Sequence, residues 1–183
     1  IGTLALFIHC FAFNYNCKVK SAGHKVYGFY FGEFVYTFCN FVKGFEPPES
    51  AIYKNPYREW IGAQIRGDYF GYINPGKPEL AAEMAWRDAS ISHVKNGIYG
   101  EMWAAATIAA AAVCKDPRLA ILYGMEEIPA TSRLYEALDN AVKNYDSGMS
   151  EEEWFADFHK RWDDRNGHHW CHTISNALIV VAS

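Results

Sequence analysis

The chain has 183 residues, half of them apolar and 21% charged, with a net charge of −4. That is enough apolar content for one domain with a sizeable core, and it excludes a disordered chain. No Lys/Arg run stands out, so nothing in the charge points to nucleic acid.

Residues 1–45 differ from the rest. They hold four Lys and one Glu, a balance of +3, which leaves −7 for the remainder. The opening "TLALFIHCFAF" is apolar but far short of the ~20 residues a membrane span needs. No basic stretch precedes it, so a signal peptide is disfavoured and a core helix is expected. In "VYGFYFGEFVYTF" a period of two fits as well as a helical one, so a strand pair and a helix both stay open. The chain starts at Ile1 rather than Met and ends on the apolar "SNALIVVAS". Both ends read as cut, and residues 1–183 are expected to be a single partial domain, with 46–183 its helical core.

After Lys43 the pattern is helical almost everywhere. "PPES" is a turn. "REWIGAQIRGDYFGY" reads as a helix weakened by Gly62, Gly67 and Gly71. "PELAAEMAWRDASISH" starts with Pro78 at a first helical position, with Leu80, Met84 and Arg87 on related faces and Ala81, Ala85 and Ala89 alongside. "GIYGEMWAAATIAAAAVC" predicts a central helix from about Ile98 to Cys114, since small residues all round suit neighbours on several sides. "KDPRLAILYG" has Asp116 as N-cap, Pro117 next and Gly124 as a stop. "TSRLYEALDNAVKNYDSG" spaces Leu134, Leu138, Ala141 and Tyr145 helically and ends at Gly148. Ser150 with Glu153 forms a capping box for a helix striped by Trp154, Phe155, Phe158 and Trp162. "HTISNALIVVAS" begins a last helix. The expected fold is all-α, a compact orthogonal bundle of seven or eight helices. Five cysteines without a C-x-x-C pair argue against a disulfide framework or zinc ribbon and favour a reducing, cytoplasmic compartment.

Three stretches could carry chemistry. "DDRNGHHWCH", Asp163 to His172, gathers histidines and acids, but their spacing is wrong for a zinc shell and no second cluster completes one. A loop is favoured there, with Trp170 packed inward and His172-Thr173 capping the last helix. "IGAQIRGDYFG" places glycines where backbone can approach a ligand, and Arg66 and Asp68 could hold a phosphate and a ribose hydroxyl. The plainer alternative is an Arg–Asp pair on a helix surface. Around "RDASISHVKNGIYG", Arg87, Asp88, Ser90, Ser92, His93, Asn96, Gly97, Tyr99 and Gly100 cluster where one helix ends and the central one starts. A helix N-terminus there suits an anion. A tight corner with His93 as a core residue fits equally well.

Taken together, "PPESAIYKNPYREWIGAQIRGDYFGYINPGKPELAAEMAWRDASISHVKNGIYGEMWAAA" resembles the middle of the ADP-ribosylglycohydrolase family, which includes the hydrolase that reactivates ADP-ribosylated dinitrogenase reductase. "GAQIR" resembles its Gly-Ala-x-Met-Arg element, "ELAAEMAWRDASISH" its helix ending in Ser/Thr-His, and "CHTISNALIVVA" its later His-Thr helix. The likeness runs from about Val42 to Ser183. It implies an all-α fold, two magnesium ions, and hydrolysis of the glycosidic bond joining ADP-ribose to a protein side chain or small molecule. It also implies Gly62, Arg66 and His93 as residues of the ADP-ribose cleft, to which Asp68, Asn96 and Tyr99 are added for their chemistry and position. Trp60 and Ile61 stand where the family usually has Gly-Asn.

The metal-binding motifs of the family, Thr-Asp-Asp and a late Asp-Thr-Asp, do not occur in this sequence. They are expected before Ile1 and after Ser183, so this chain is expected to be inactive by itself. Two functions follow. One is a magnesium-dependent ADP-ribosyl hydrolase acting on an ADP-ribosylated protein or small molecule. The alternative is a non-catalytic helical module that binds a nucleotide or a protein. Neither involves a membrane.

Overall fold

The computed structural model describes residues 32–162 and 169–182. The "TLALFIHCFAF" stretch and residues 163–168 of the "DDRNGHHWCH" run lie outside them. Nine α-helices are present among the described residues, and no strand: α1 Gly32–Val42, α2 Glu49–Ile52, α3 Asp68–Tyr72, α4 Pro78–Ala89, α5 Asn96–Ala111, α6 Pro117–Glu126, α7 Arg133–Asp146, α8 Glu151–Trp162 and α9 Thr173–Ala182. A 3-10 turn, Gln64–Arg66, precedes α3. The all-α expectation holds, and the aromatic run around Phe34 to Phe41 is helical.

Helix α5 is the hub. It touches α3, α4, α6, α7, α9 and the 3-10 turn. Its alanines allow this, because two backbones can approach closely only where side chains are small. Ala105 and Ala109 meet Ala81 and Ala85 of α4, all four fully buried, with Phe70 beside them. The buried face of α4 is therefore its alanine row, while Leu80 is exposed. On the opposite side Trp103 packs with Leu134 and Leu138 of α7 and Ile174 of α9, each essentially inaccessible. Burying a side chain of that size stabilises the fold by about 1.5–3 kcal/mol. Tyr145 falls at the right spacing for this core but is 74% exposed.

The caps follow the sequence closely. Asp116 accepts from the Arg118 amide at 2.9 Å and Ser132 from that of Tyr135 at 3.1 Å. Ser150 and Glu153 exchange bonds as a capping box. Such caps contribute about 1 kcal/mol each. Gly148, at φ +77°, follows the end of α7 in the left-handed region glycine favours.

Two expectations need correction. Gly124 does not stop its helix, which continues to Glu126. It is a contact point: a Cβ there would fall 3.0 Å from the Trp103 carbonyl and on top of Thr107. Nor is "REWIGAQIRGDYFGY" one helix. The Ile61 amide leaves the local chain to bond the Cys171 carbonyl at 2.7 Å, and Trp60 bridges to His172. Regular structure resumes only at Gln64, and the segment is broken into the 3-10 turn and α3.

Candidate functional site

The segment from Asn55 to Arg66, the corner between α4 and α5, and the start of α9 converge. Asn55 bonds the carbonyls of Ala51 and Ser92, and the Val94 amide bonds the Arg58 carbonyl. Thr173 donates its amide to the Glu59 carbonyl at 3.1 Å and its hydroxyl to the Trp60 carbonyl at 2.8 Å. The glycines of the first turns of α5 make room for these neighbours. A Cβ at Gly97 would sit 2.6 Å from the Arg58 carbonyl, and one at Gly100 would sit 2.2 Å from Thr173 Cγ2. The Asn-Gly and Tyr-Gly steps of "KNGIYGEM" thus serve close packing of backbone on backbone, and residues 58–60 cover the first turn of α5.

Arg66 is the centre of this corner. Its Nε donates to Asp88 Oδ2 at 2.7 Å, Nη1 to the Gly62 carbonyl at 2.8 Å and Nη2 to Ser92 Oγ at 3.3 Å. Nη2 also lies 3.6 Å from Glu101 Oε2. The side chain is 12% exposed and that of Asp88 23%. Ser92 Oγ lies 2.8 Å from His93 Nδ1. Arg66 can only donate, so Ser92 accepts from it and its own proton is left for Nδ1. A neutral His93 then carries its hydrogen on Nε2. His93 is fully buried, and desolvation, reinforced by the Arg66 charge, holds its pKa well below the ordinary 6.5. The Trp60 backbone pulls weakly the other way, but its carbonyl is already engaged by Thr173, and Nε2 has no hydrogen-bond partner.

Glu101 is the least expected member. It is fully buried in α5, and burial drives its pKa well above the ordinary 4.5. Arg66 opposes that rise and Asp88 adds to it. Neither Glu101 oxygen has a hydrogen-bond partner, nor does Gln64 Oε1. Each such buried group costs about 1–3 kcal/mol. The corner gives up stability at Gln64, His93 and Glu101, and a fold concentrates such losses where shape serves something other than stability.

The other predicted residues are placed differently. Asn96 is buried and structural: its Nδ2 donates to Glu59 Oε2 at 2.8 Å and its Oδ1 accepts from the Leu134 amide at 3.1 Å. Gly62 is buried and enters through its carbonyl. Asp68 is exposed at the start of α3, and the carboxylate that pairs with Arg66 is Asp88. Tyr99 is half-buried against the main core. Trp170 is 53% exposed, not packed inward, whereas the His172 ring does cap α9, accepting from the Ile174 amide at 3.2 Å. Outside the corner, Trp60 lies parallel to His169 with centroids 4.7 Å apart, and Tyr57 leans on it at 4.3 Å. A separate groove between α7 and α8, lined by Asn140, Asn144, Trp154 and Phe158, includes none of these residues.

Glu101 and Gln64 were not among the expected site residues. One signal for Glu101 was legible: a lone acid in a helix otherwise built of small and apolar residues. Among the described residues, no group of three or more His, Cys, Asp or Glu side chains is placed to hold a metal ion. Asp88 and Glu101 are the two carboxyl groups beside Arg66, and the Asp88 carboxylate is hydrogen-bonded to its guanidinium. The described residues therefore do not fit a two-magnesium centre.

The corner is a buried, polar junction within an all-α protein. The chain belongs to the ADP-ribosylglycohydrolase family, whose family model matches residues 10–183. No curated protein and no solved structure matches it. Among the described residues, no helix is long and apolar enough to cross a membrane.

Proposed function

We propose that the protein serves the hydrolysis of the glycosidic bond linking ADP-ribose to a protein side chain or small molecule, and that the Arg66 corner is the rigid floor of the ADP-ribose cleft. The observation that carries this reading is the position of the corner. The three segments bearing the family resemblance, around "GAQIR", "SISH" and "CHTIS", meet there and hold one another through Arg66, Ser92 and Thr173. With its guanidinium committed to Asp88, Gly62 and Ser92, Arg66 acts as an organiser of the floor, and His93 and Asn96 act from beneath it. Tyr99 and Asp68, the more accessible residues, are the candidates for direct contact. Magnesium is implied by the family resemblance, and among the described residues no group of three or more His, Cys, Asp or Glu side chains is placed to hold it.

The test is calorimetric titration of the 183-residue chain with ADP-ribose, beside an assay of release from an ADP-ribosylated peptide. Binding of ADP-ribose without turnover is the expected result, because the sequence lacks the Thr-Asp-Asp and Asp-Thr-Asp motifs. Turnover by this chain that depends on magnesium would overturn the assignment of its residues. Binding of other nucleotides but not of ADP-ribose would favour the non-catalytic module.

A further inference from the structure

We propose that Glu101 is a positioning residue: from inside α5 it fixes the Arg66 guanidinium, and through it Ser92 and His93. The proposal rests on the reading of this corner as the cleft floor. Three features carry it. Glu101 is completely buried, and its Oε2 lies 3.6 Å from Arg66 Nη2. Gly67, directly after the 3-10 turn, lets that turn close onto it, since a Cβ there would meet the Glu101 carbonyl at 3.0 Å and Glu101 Cγ at 3.4 Å. Finally, the surroundings do not call for an acid. α5 is lined by alanines, and an apolar residue of equal length at 101 would avoid the cost of burying a carboxyl without a hydrogen bond. A carboxyl kept at such a site, with neither oxygen hydrogen-bonded, acts on the geometry of its neighbour rather than on the fold.

The charges facing Glu101 are Arg66 and Asp88. Arg66 is held through Nε by Asp88, through Nη1 by the Gly62 carbonyl and through Nη2 by Ser92, with Glu101 packed beneath Nη2. Removing that lower support lets the guanidinium turn out of its seat and exchange its Nε–Asp88 bond for water.

The experiment compares Glu101→Met and Glu101→Gln by two readouts. The first is the Arg66 Nε–H signal in 1H–15N spectra, assigned by its absence in Arg66→Lys. It does not depend on any ligand. The second is ADP-ribose affinity. Met is expected to leave the urea midpoint equal to or above that of the parent, to abolish the protected Nε–H signal, and to weaken ADP-ribose binding at least tenfold. Gln, which keeps the shape and polar end, is expected to retain both. A folded Met variant with an unchanged Nε–H signal would overturn the proposal, and so would a Met variant that does not fold, since the carboxyl would then be holding the fold itself. If the parent chain binds no ADP-ribose, the functional reading fails while the spectra still decide whether Glu101 positions Arg66.

Discussion

Arg66 Nε donates to Asp88 Oδ2 across 2.7 Å, tying the 3-10 turn to the last turn of α4 over 22 residues of sequence. The pair is only partly screened, with side-chain exposures of 12% and 23%. Asp88→Ala leaves a largely buried guanidinium short of its anion, and is expected to cost about 2–4 kcal/mol, below the full loss of a completely buried pair. Urea unfolding measures it. Asp88→Asn, which can still accept from Nε, should cost about half as much or less.

The pH dependence of stability follows from two groups with opposite signs. His93 has a depressed pKa in the fold, so below 6.5 the unfolded chain binds a proton that the native chain does not, and stability falls as pH falls. Glu101 has a raised pKa, so above 4.5 the native chain keeps a proton that the unfolded chain has lost, and stability falls as pH rises toward its native value. Between 4.5 and 6.5 the two contributions have opposite signs. The profile is expected to be flatter there than where only one of the two groups acts, with His93 setting an acid limb and Glu101 an alkaline one. Glu101→Gln should flatten the alkaline limb and leave the acid limb, which urea midpoints from pH 4 to 8 will show. An unchanged alkaline limb in that variant would refute the assignment to Glu101.

The first turns of α5 carry a packing test. Gly100→Ala drives a methyl group to 2.2 Å from Thr173 Cγ2 and should destabilise by about 1–3 kcal/mol. Thr173→Ser removes that methyl group and keeps the hydroxyl that donates to Trp60. The double variant should therefore recover most of the loss, giving a favourable coupling of about 1 kcal/mol or more in a double-mutant cycle. Strict additivity would mean that the two helices do not meet there.

Local signals in the sequence were read well because they act within one turn. Asp116 and Ser150 cap the helices they were expected to cap, and Pro78 and Pro117 open theirs. What could not be read was set by partners far away in sequence. The helical pattern of residues 58–72 breaks because Ile61 bonds Cys171, and Trp60 is engaged by Thr173, 113 positions on. Gly124 sits inside its helix because Trp103 and Thr107 lie against it. At the site, Arg66 and His93 were legible from the resemblance and do meet, through Ser92. The choice of Asp88 over Asp68 as the partner of Arg66 was not, since a break between Arg66 and α3 replaces the continuous helix on which the nearer acid was expected. Glu101 escaped because a helical pattern marks its position as interior but says nothing of what an interior acid touches.

The most direct test of the central claim is hydrogen exchange of the chain with and without saturating ADP-ribose, read by mass spectrometry. The account predicts slowed exchange in peptides covering residues 58–66 and 90–99, with the groove between α7 and α8 unchanged. Exchange slowed only at that groove, or nowhere, would contradict the assignment of the Arg66 corner as the floor of the ADP-ribose cleft.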